Sequence, residues 1–299
     1  MTASPLFYHS LTIQIFSVKR AGGEDDMQYE MIPVRVEGSA PDTKFYAYIL
    51  DNVKGDLHRE ARPMVILCPG GGYEKTSDRE AEPIAMKLLA RGYHVGILRY
   101  SVAPARFPTA LLELAEVMKL VHEKQEEWQV DAGRIFVQGS SAGGHLAASL
   151  GVFWNKPFLY EMAQTIPEIL RPRGLILSYP VITSDSEYIN EQSFQNLLGN
   201  QYDAEKEKVS IEKLVTSDMP PCFIWHTFTD ETVPVENALL LTGALKKAGV
   251  SAELHIYPEG EHGLALGDET TARADGSKIC RTVQSWTDLL QVWLKSMVQ

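Results

Sequence analysis

Near the middle of the chain, Gly139-Ser140-Ser141-Ala142-Gly143 has the residue types and the spacing to present a nucleophile. A serine on a sharp strand-to-helix turn takes a strained backbone, so the positions two before and two after it must be nearly free of side chain. Gly139 and Gly143 meet that need around Ser141, while the rival hydroxyl of Ser140 lacks glycine at both offsets. The bare pattern also fits a Gly/Ser turn ahead of a tightly packed helix, so the flanks carry the decision. Residues 135–137, Ile-Phe-Val, read as a buried strand, and a helical stretch begins near Ser141. Gly144 lets that helix lie close to neighbouring strands, and its N-terminus puts partial positive charge where an oxyanion would form.

A serine hydroxyl at neutral pH is a weak nucleophile and needs a base, an orienting acid and donors for an oxyanion. The base should sit in a loop after the last strand, and His262 does, directly after residues 253–257 and between Gly260 and Gly263. His9, His58 and His122 fall in exposed or helical contexts, His94 and His255 in strands, and His145 on the nucleophile's own helix. The acid should follow the preceding strand, where Asp230 and Glu231 come just after residues 222–225; Asp218 precedes that strand and lies at the wrong end. Asp230 has a plainer reading too, as the opener of a turn ahead of a helix. For the oxyanion, consecutive glycines after the strand at 64–68 offer the N–H groups of Gly71 and Gly72, with that of Ala142 as a third donor. The loop lacks the G-x-x-x-x-G-K-S/T pattern of a phosphate cradle.

Positioning these groups requires strand ends gathered on one edge of a sheet. Apolar runs at 63–68, 94–98, 135–137, 174–179, 222–225 and 253–257 alternate with helical patterns at 82–90, 109–125 and 235–248. The helix at 109–125 carries Leu111, Leu114, Ala115, Met118 and Val121 on one face. A last stripe, Val283, Trp286, Leu290, Trp293 and Met297, predicts a closing helix. Residues 11–18, 32–36 and 45–50 read as an antiparallel β start. Such alternation predicts an α/β fold with a mostly parallel sheet and helices on both faces, binding its ligand at the carboxyl ends of the strands. Residues 182–217 have no strand-like run and read as a small helical insertion, either a cap over the pocket or a surface excursion. No repeat or linker interrupts residues 1–299, so one domain is expected.

Of 299 residues, 44% are hydrophobic and 22% charged, enough for a sizeable core. A net charge of −11 without a long basic run argues against nucleic acid or an anionic membrane as partner. No segment reaches the roughly 18 apolar residues of a membrane helix. Residues 1–8 lack a basic stretch followed by an apolar core, and Cys68, Cys222 and Cys280 show no metal-type spacing. The expectation is a cytoplasmic protein with free thiols.

With these residues in hand, the chain resembles the α/β-hydrolase superfamily over nearly its whole length. More narrowly it is similar to bacterial esterases related to acetyl-xylan esterases, through Cys68-Pro-Gly-Gly-Gly-Tyr73, Gln138-Gly-Ser-Ser-Ala-Gly-Gly-His145, Pro221-Cys-Phe-Ile-Trp-His-Thr227 with Asp230, Val233-Pro-Val-Glu-Asn237, and Gly260-Glu-His-Gly263. The resemblance implies a serine carboxylesterase with Ser141 as nucleophile, Asp230 as acid and His262 as base. It implies no metal or organic cofactor, and small-molecule esters as substrates, often acetyl groups on sugars. The glycine loop departs from the related hormone-sensitive-lipase-like enzymes, which carry an aromatic and a His where this chain has Cys68-Pro69. Two other readings stay open. One is a serine peptidase of the prolyl-oligopeptidase type, although no segment here could form its propeller; the other is a binding protein on a hydrolase scaffold.

Overall fold

The computed structural model describes residues 27–52 and 61–297. They form one eight-stranded sheet from β1 (Gln28–Pro33), β2 (Lys44–Ile49), β3 (Arg62–Cys68), β4 (His94–Arg99), β5 (Val130–Ser140), β6 (Gly174–Ser178), β7 (Cys222–Thr227) and β8 (Ala252–Tyr257). The spatial order is β1-β2-β4-β3-β5-β6-β7-β8. β2 runs antiparallel to both neighbours, and all the other pairs are parallel. The apolar runs explain who sits where. β6 and β7 are buried along their whole length, as parallel strands covered on both faces must be. Edge strand β1 alternates exposed and buried residues.

Helices α1 (Glu82–Leu89), α2 (Thr109–Glu123), α3 (Ala142–Phe153), α4 (Glu191–Leu198), α5 (Glu236–Ala248) and α6 (Trp286–Ser296) surround the sheet. α2, α3 and α5 bury their apolar sides in the core on one face, and α1 and α6 in the core on the other. Leu111, Leu114, Ala115, Met118 and Val121 of α2 are all buried, as their spacing predicts. Burying each larger side chain is worth about 1.5–3 kcal/mol, so packing rather than intrinsic propensity holds such a helix. Trp286, Leu290 and Trp293 of α6 are buried in the same way.

One expected strand shifts. The strand expected at 11–18 lies outside the described residues. The strand expected at 32–36 starts earlier and ends at Pro33, in register from Gln28–Ile49 to Pro33–Lys44. Short helices at Pro157–Met162 and Pro167–Leu170, too brief to show a period, connect α3 to β6. Residues 182–217 are helical, with α4 followed by turns at Tyr202–Glu205 and Ile211–Leu214. Among the described residues no helix is long and apolar enough to cross a membrane.

Candidate active site

β5 ends at Ser140 and α3 starts at Ala142, leaving Ser141 alone at the corner with φ 55° and ψ −120°. A non-glycine residue holds such a backbone only when its surroundings impose it. Here the Ser141 N–H donates to Ser178 O at 3.0 Å, and its carbonyl accepts from Val181 N and His145 N, each at 3.1 Å. The glycines are required sterically. A Cβ at Gly139 would overlap the Gly143 carbonyl, and one at Gly143 would overlap the carbonyl of Cys68.

His262 and Asp230 arrive from the ends of β8 and β7. His262 Nε2 lies 2.7 Å from Ser141 Oγ, and Nδ1 lies 2.6 Å from Asp230 Oδ2. Asp230 Oδ1 accepts the N–H groups of Thr232 and Val233, both at 2.9 Å. Burial alone would raise the Asp230 carboxyl, but hydrogen bonds from His226, His262 and the Val233 amide outweigh it. They hold the group well below the usual carboxylate range. An acceptor-only carboxylate fixes the imidazole proton on Nδ1 and turns the Nε2 lone pair toward the serine hydroxyl. Glu231, the neighbouring carboxylate, is exposed, and Nδ1 of the imidazole is taken by Asp230 instead.

The glycine loop follows β3. Gly71 and Gly72 have φ of 136° and 65°, and the Gly71 carbonyl accepts from Glu74 N at 3.0 Å and Lys75 N at 3.2 Å. A Cβ on Gly71 would overlap the Lys75 carbonyl, so replacing this residue rearranges the turn itself; a Cβ on Gly72 would meet only Ser193 Oγ, at 3.8 Å. The Gly70 N–H is taken by Glu80 Oε2 at 2.8 Å. No acceptor among the described residues takes the N–H of Gly71 or Gly72. Ala142 N–H, at the first position of α3, has no intrahelical partner.

Residues 182–217 reach this site by side-chain amides. Asn196 Nδ2 donates to Gly72 O at 2.8 Å, and Asn190 Nδ2 to Thr232 O at 2.9 Å. A cleft of about 620 Å³ opens beside His262, lined by Thr229, Glu231, Thr232, Glu261, Arg273 and Lys278. Its walls are polar and charged. Aromatic residues near the strand ends are no part of it: Tyr73, Tyr100 and Trp225 are buried, with polar atoms committed to His145 Nδ1, Pro69 O and Ser178 Oγ. Cys68 and Cys222 are also buried, which pushes their thiols up and out of nucleophile range. Among the described residues no group of three His, Cys, Asp or Glu side chains is placed to hold a metal ion.

Sequence reasoning passes over three groups near the site. His226 follows an apolar run one residue before the end of β7, and its Nε2 is 3.3 Å from Asp230 Oδ2 and donates to Val233 O at 2.9 Å. Glu80 belongs to a charged tripeptide but is 4% exposed. Tyr179, with φ 37°, presents its ring edge-on to His262 at 5.1 Å between centroids. Burial and the neighbouring Glu80 keep the Tyr179 hydroxyl a neutral phenol. Only the strand-end position of Tyr179 leaves a trace in the sequence.

Residues 50–245 match the family model of BD-FAE. The chain belongs to the BD-FAE family. It is 32% identical over 235 residues to endo-1,4-beta-xylanase B of Butyrivibrio fibrisolvens, covering 75% of this chain and 36% of that protein. It is 26% identical over 209 residues to an acetylxylan esterase of Xylanibacter ruminicola, covering 68% and 41%. The chain thus spans well under two thirds of the length of these relatives. A solved structure, the acetyl ester-xyloside bifunctional hydrolase from Caldicellulosiruptor lactoaceticus, superposes with a TM-score of 0.75 at 34% identity, covering 90% of this chain and 96% of that one. This BD-FAE member is therefore an α/β hydrolase related to acetyl-xylan esterases.

Proposed function

We propose that this BD-FAE member is a carboxylic ester hydrolase that works through an acyl-enzyme on Ser141. The observation that carries the reading is the unbroken relay from Ser141 Oγ to His262 at 2.7 Å and on to Asp230 at 2.6 Å. In the first half-reaction Ser141 Oγ attacks the ester carbonyl while His262 Nε2 takes its proton. Asp230 holds the imidazole in orientation and offsets the charge that forms. The N–H groups of Gly71, Gly72 and Ala142 receive the oxyanion. Collapse expels the alcohol, which leaves with the proton from His262. Water, deprotonated by the same nitrogen, then releases the carboxylic acid and restores Ser141.

The substrate class is read as short-chain acyl esters of polar alcohols, acetylated sugars foremost. The cleft beside the leaving-group base has hydroxyl, carboxylate and cationic walls, which suit a hydroxylated alcohol better than a hydrocarbon. The names of the acetylxylan esterase and of the acetyl ester-xyloside hydrolase point the same way. In this reading residues 182–217 are an insertion that supports the glycine loop within one hydrolase domain. Ser141→Ala and His262→Ala should each lower p-nitrophenyl acetate turnover by at least ~10³-fold in folded protein, because triad members act as a unit. Most activity surviving in Ser141→Ala would sink the mechanism. On an acyl-length series kcat/KM should fall beyond roughly four carbons, each further methylene left in water forgoing about 0.8 kcal/mol. Best activity on long-chain emulsions would refute the short-acyl assignment, and no acetate from acetylated xylo-oligosaccharides would remove the sugar.

A further inference from the structure

The glycine loop and the loop of His262 are joined by side chains that belong to neither. Glu80 lies in a short helical turn, Asp78–Glu80, just ahead of α1. Its Oε2 accepts the Gly70 N–H at 2.8 Å, and its Oε1 accepts the Tyr179 hydroxyl at 2.6 Å. That hydroxyl in turn accepts the N–H of Ala265 at 3.0 Å, in the chain that leaves His262. The Tyr179 ring meanwhile packs edge-on against the imidazole. A Cβ built on Gly70 would stand 2.7 Å from Glu80 Oε2 and 2.9 Å from Ser141 Cβ, so carboxylate, glycine loop and nucleophile leave no space between them. Arg79 adds a second tie from the same turn. Its Nη1 donates to Gly263 O at 2.8 Å and its Nε to Thr271 O at 2.6 Å.

The chemistry of the contact requires a carboxylate. Gly70 N–H and Tyr179 O–H are both donors, and each needs an oxygen. Tyr179 Oη takes the Ala265 N–H on its acceptor side, and the Ser140 hydroxyl lies beside it. A buried donor left without an acceptor costs about 1–3 kcal/mol. A carboxamide of the same shape supplies one acceptor and sets an NH₂ against the other donor.

We propose that Glu80 is a positioning residue for the reaction above: its carboxylate sets the separation between the oxyanion-binding glycine loop and the loop that carries His262. The proposal rests on the reading of Ser141, Asp230 and His262 as a triad. Glu80 does not touch the reacting atoms; it acts on both halves of the site at once, through Gly70 on one side and Tyr179 on the other. Its loss should therefore appear where oxyanion donors and base must be aligned together, in kcat, and little in ground-state binding.

The test measures kcat, KM and thermal midpoint on p-nitrophenyl acetate for Glu80→Gln, Glu80→Asp, Tyr179→Phe and the Glu80→Gln/Tyr179→Phe pair. Misplacing a reacting group by about 1 Å can cost ~10²-fold, so Glu80→Gln should lower kcat roughly 30- to 100-fold with KM within about threefold. Tyr179→Phe keeps the carboxylate and cuts only the link to the His262 side, and should lower kcat roughly 5- to 10-fold by the same reasoning. The double variant should match Glu80→Gln within about twofold, because the two groups share one relay and their effects do not add. Glu80→Asp, which retains the acceptors on a shorter stem, should recover part of kcat. A folded Glu80→Gln protein with wild-type kcat would overturn the proposal, and so would single effects that multiply in the pair. If Glu80→Gln does not fold, Tyr179→Phe decides, and normal kcat there overturns it equally. Ser141→Ala run in parallel separates the two levels. Activity in that variant fails the triad, whereas an inactive Ser141→Ala beside a fully active Glu80→Gln fails only the positioning role.

Discussion

The Ser141 turn and the loop that carries His262 meet at 2.7 Å, yet they are held in different ways. At the turn, backbone packs on backbone: Gly139 on Gly143, Gly143 on Cys68, and Ser141 bonded to both Ser178 and Val181. These contacts come mostly from the adjoining ends of β3, β5 and β6. The His262 loop hangs beyond edge strand β8 and is tied by side chains from distant parts of the chain. Arg79 holds the Gly263 carbonyl and Lys278 Nζ the His262 carbonyl at 2.7 Å, while Thr229 Oγ1 accepts Gly260 N–H at 2.9 Å. In the proposed mechanism one partner stays rigid while the other gains and loses a proton, and the restraints divide the same way. Packed backbone tolerates no added atom. A loop held by separate hydrogen bonds can lose one and keep the rest.

The largest effect should come from the packed side. Gly143→Ala places a methyl group inside the space of the Cys68 carbonyl. Overpacking of this kind costs about 1–3 kcal/mol or more, and here the strain falls on Ser141. Turnover should be abolished and the thermal midpoint lowered by several degrees. Gly243→Ala, on α5 with nothing near the added carbon, should instead stabilise by roughly 0.5–1 kcal/mol. A Gly143→Ala variant as harmless as Gly243→Ala would remove the steric restraint assigned to the Ser141 turn.

Next in size is Asp230, the proposed orienting acid. Asp230→Asn keeps an oxygen for Thr232 and Val233 but sets an NH₂ group opposite His262 Nδ1. The imidazole must then present its lone pair to the asparagine and its proton to Ser141, the wrong tautomer for a base. The expected loss in kcat is about 10³- to 10⁴-fold, against less than about twofold for exposed Glu231→Gln. The reverse ranking would transfer the role to Glu231. Stopped-flow assays on both variants are enough to decide.

The smallest expected effect is on acid stability. The packed side contains His145, bonded to Tyr73 and Val209, and burial pushes it down to about 4; His94 is likewise pushed down to about 4, first by burial. In the unfolded chain an imidazole titrates near ~6.5. Between those values the unfolded state binds protons that the folded state refuses, so stability rises with pH across the window. The contribution is fully present above about pH 6.5 and is lost as pH falls toward 4. Thermal midpoints should therefore drop from pH 7 to pH 4.5, and His145→Gln should shrink the drop. An unchanged drop in that variant would place the acid sensitivity in other groups.

Much of this fold is legible in the chain. The turn at Ser141 could be read because its constraint is local: two glycines at fixed offsets, a buried strand before and a helix after. Asp230 and His262 could be read because a parallel sheet brings the ends of successive strands to one edge. The burial of α2 and α6 followed from their periodicity. What periodicity cannot encode is which distant groups face each other. Asp78-Arg79-Glu80 has the composition of a solvated turn, and Glu80 is buried only because Gly70 and Tyr179 close over it. His226 follows an apolar run, so nothing local sets it beside Asp230. Tyr73, Tyr100 and Trp225 stand at strand ends that suit a ligand, but tertiary packing commits them to the core. Sequence determined the pieces whose demands are steric and short-range. Tertiary structure decided the buried polar partners, because a hydrogen bond across 99 residues, from Tyr179 to Glu80, exists only after the sheet has brought its ends together.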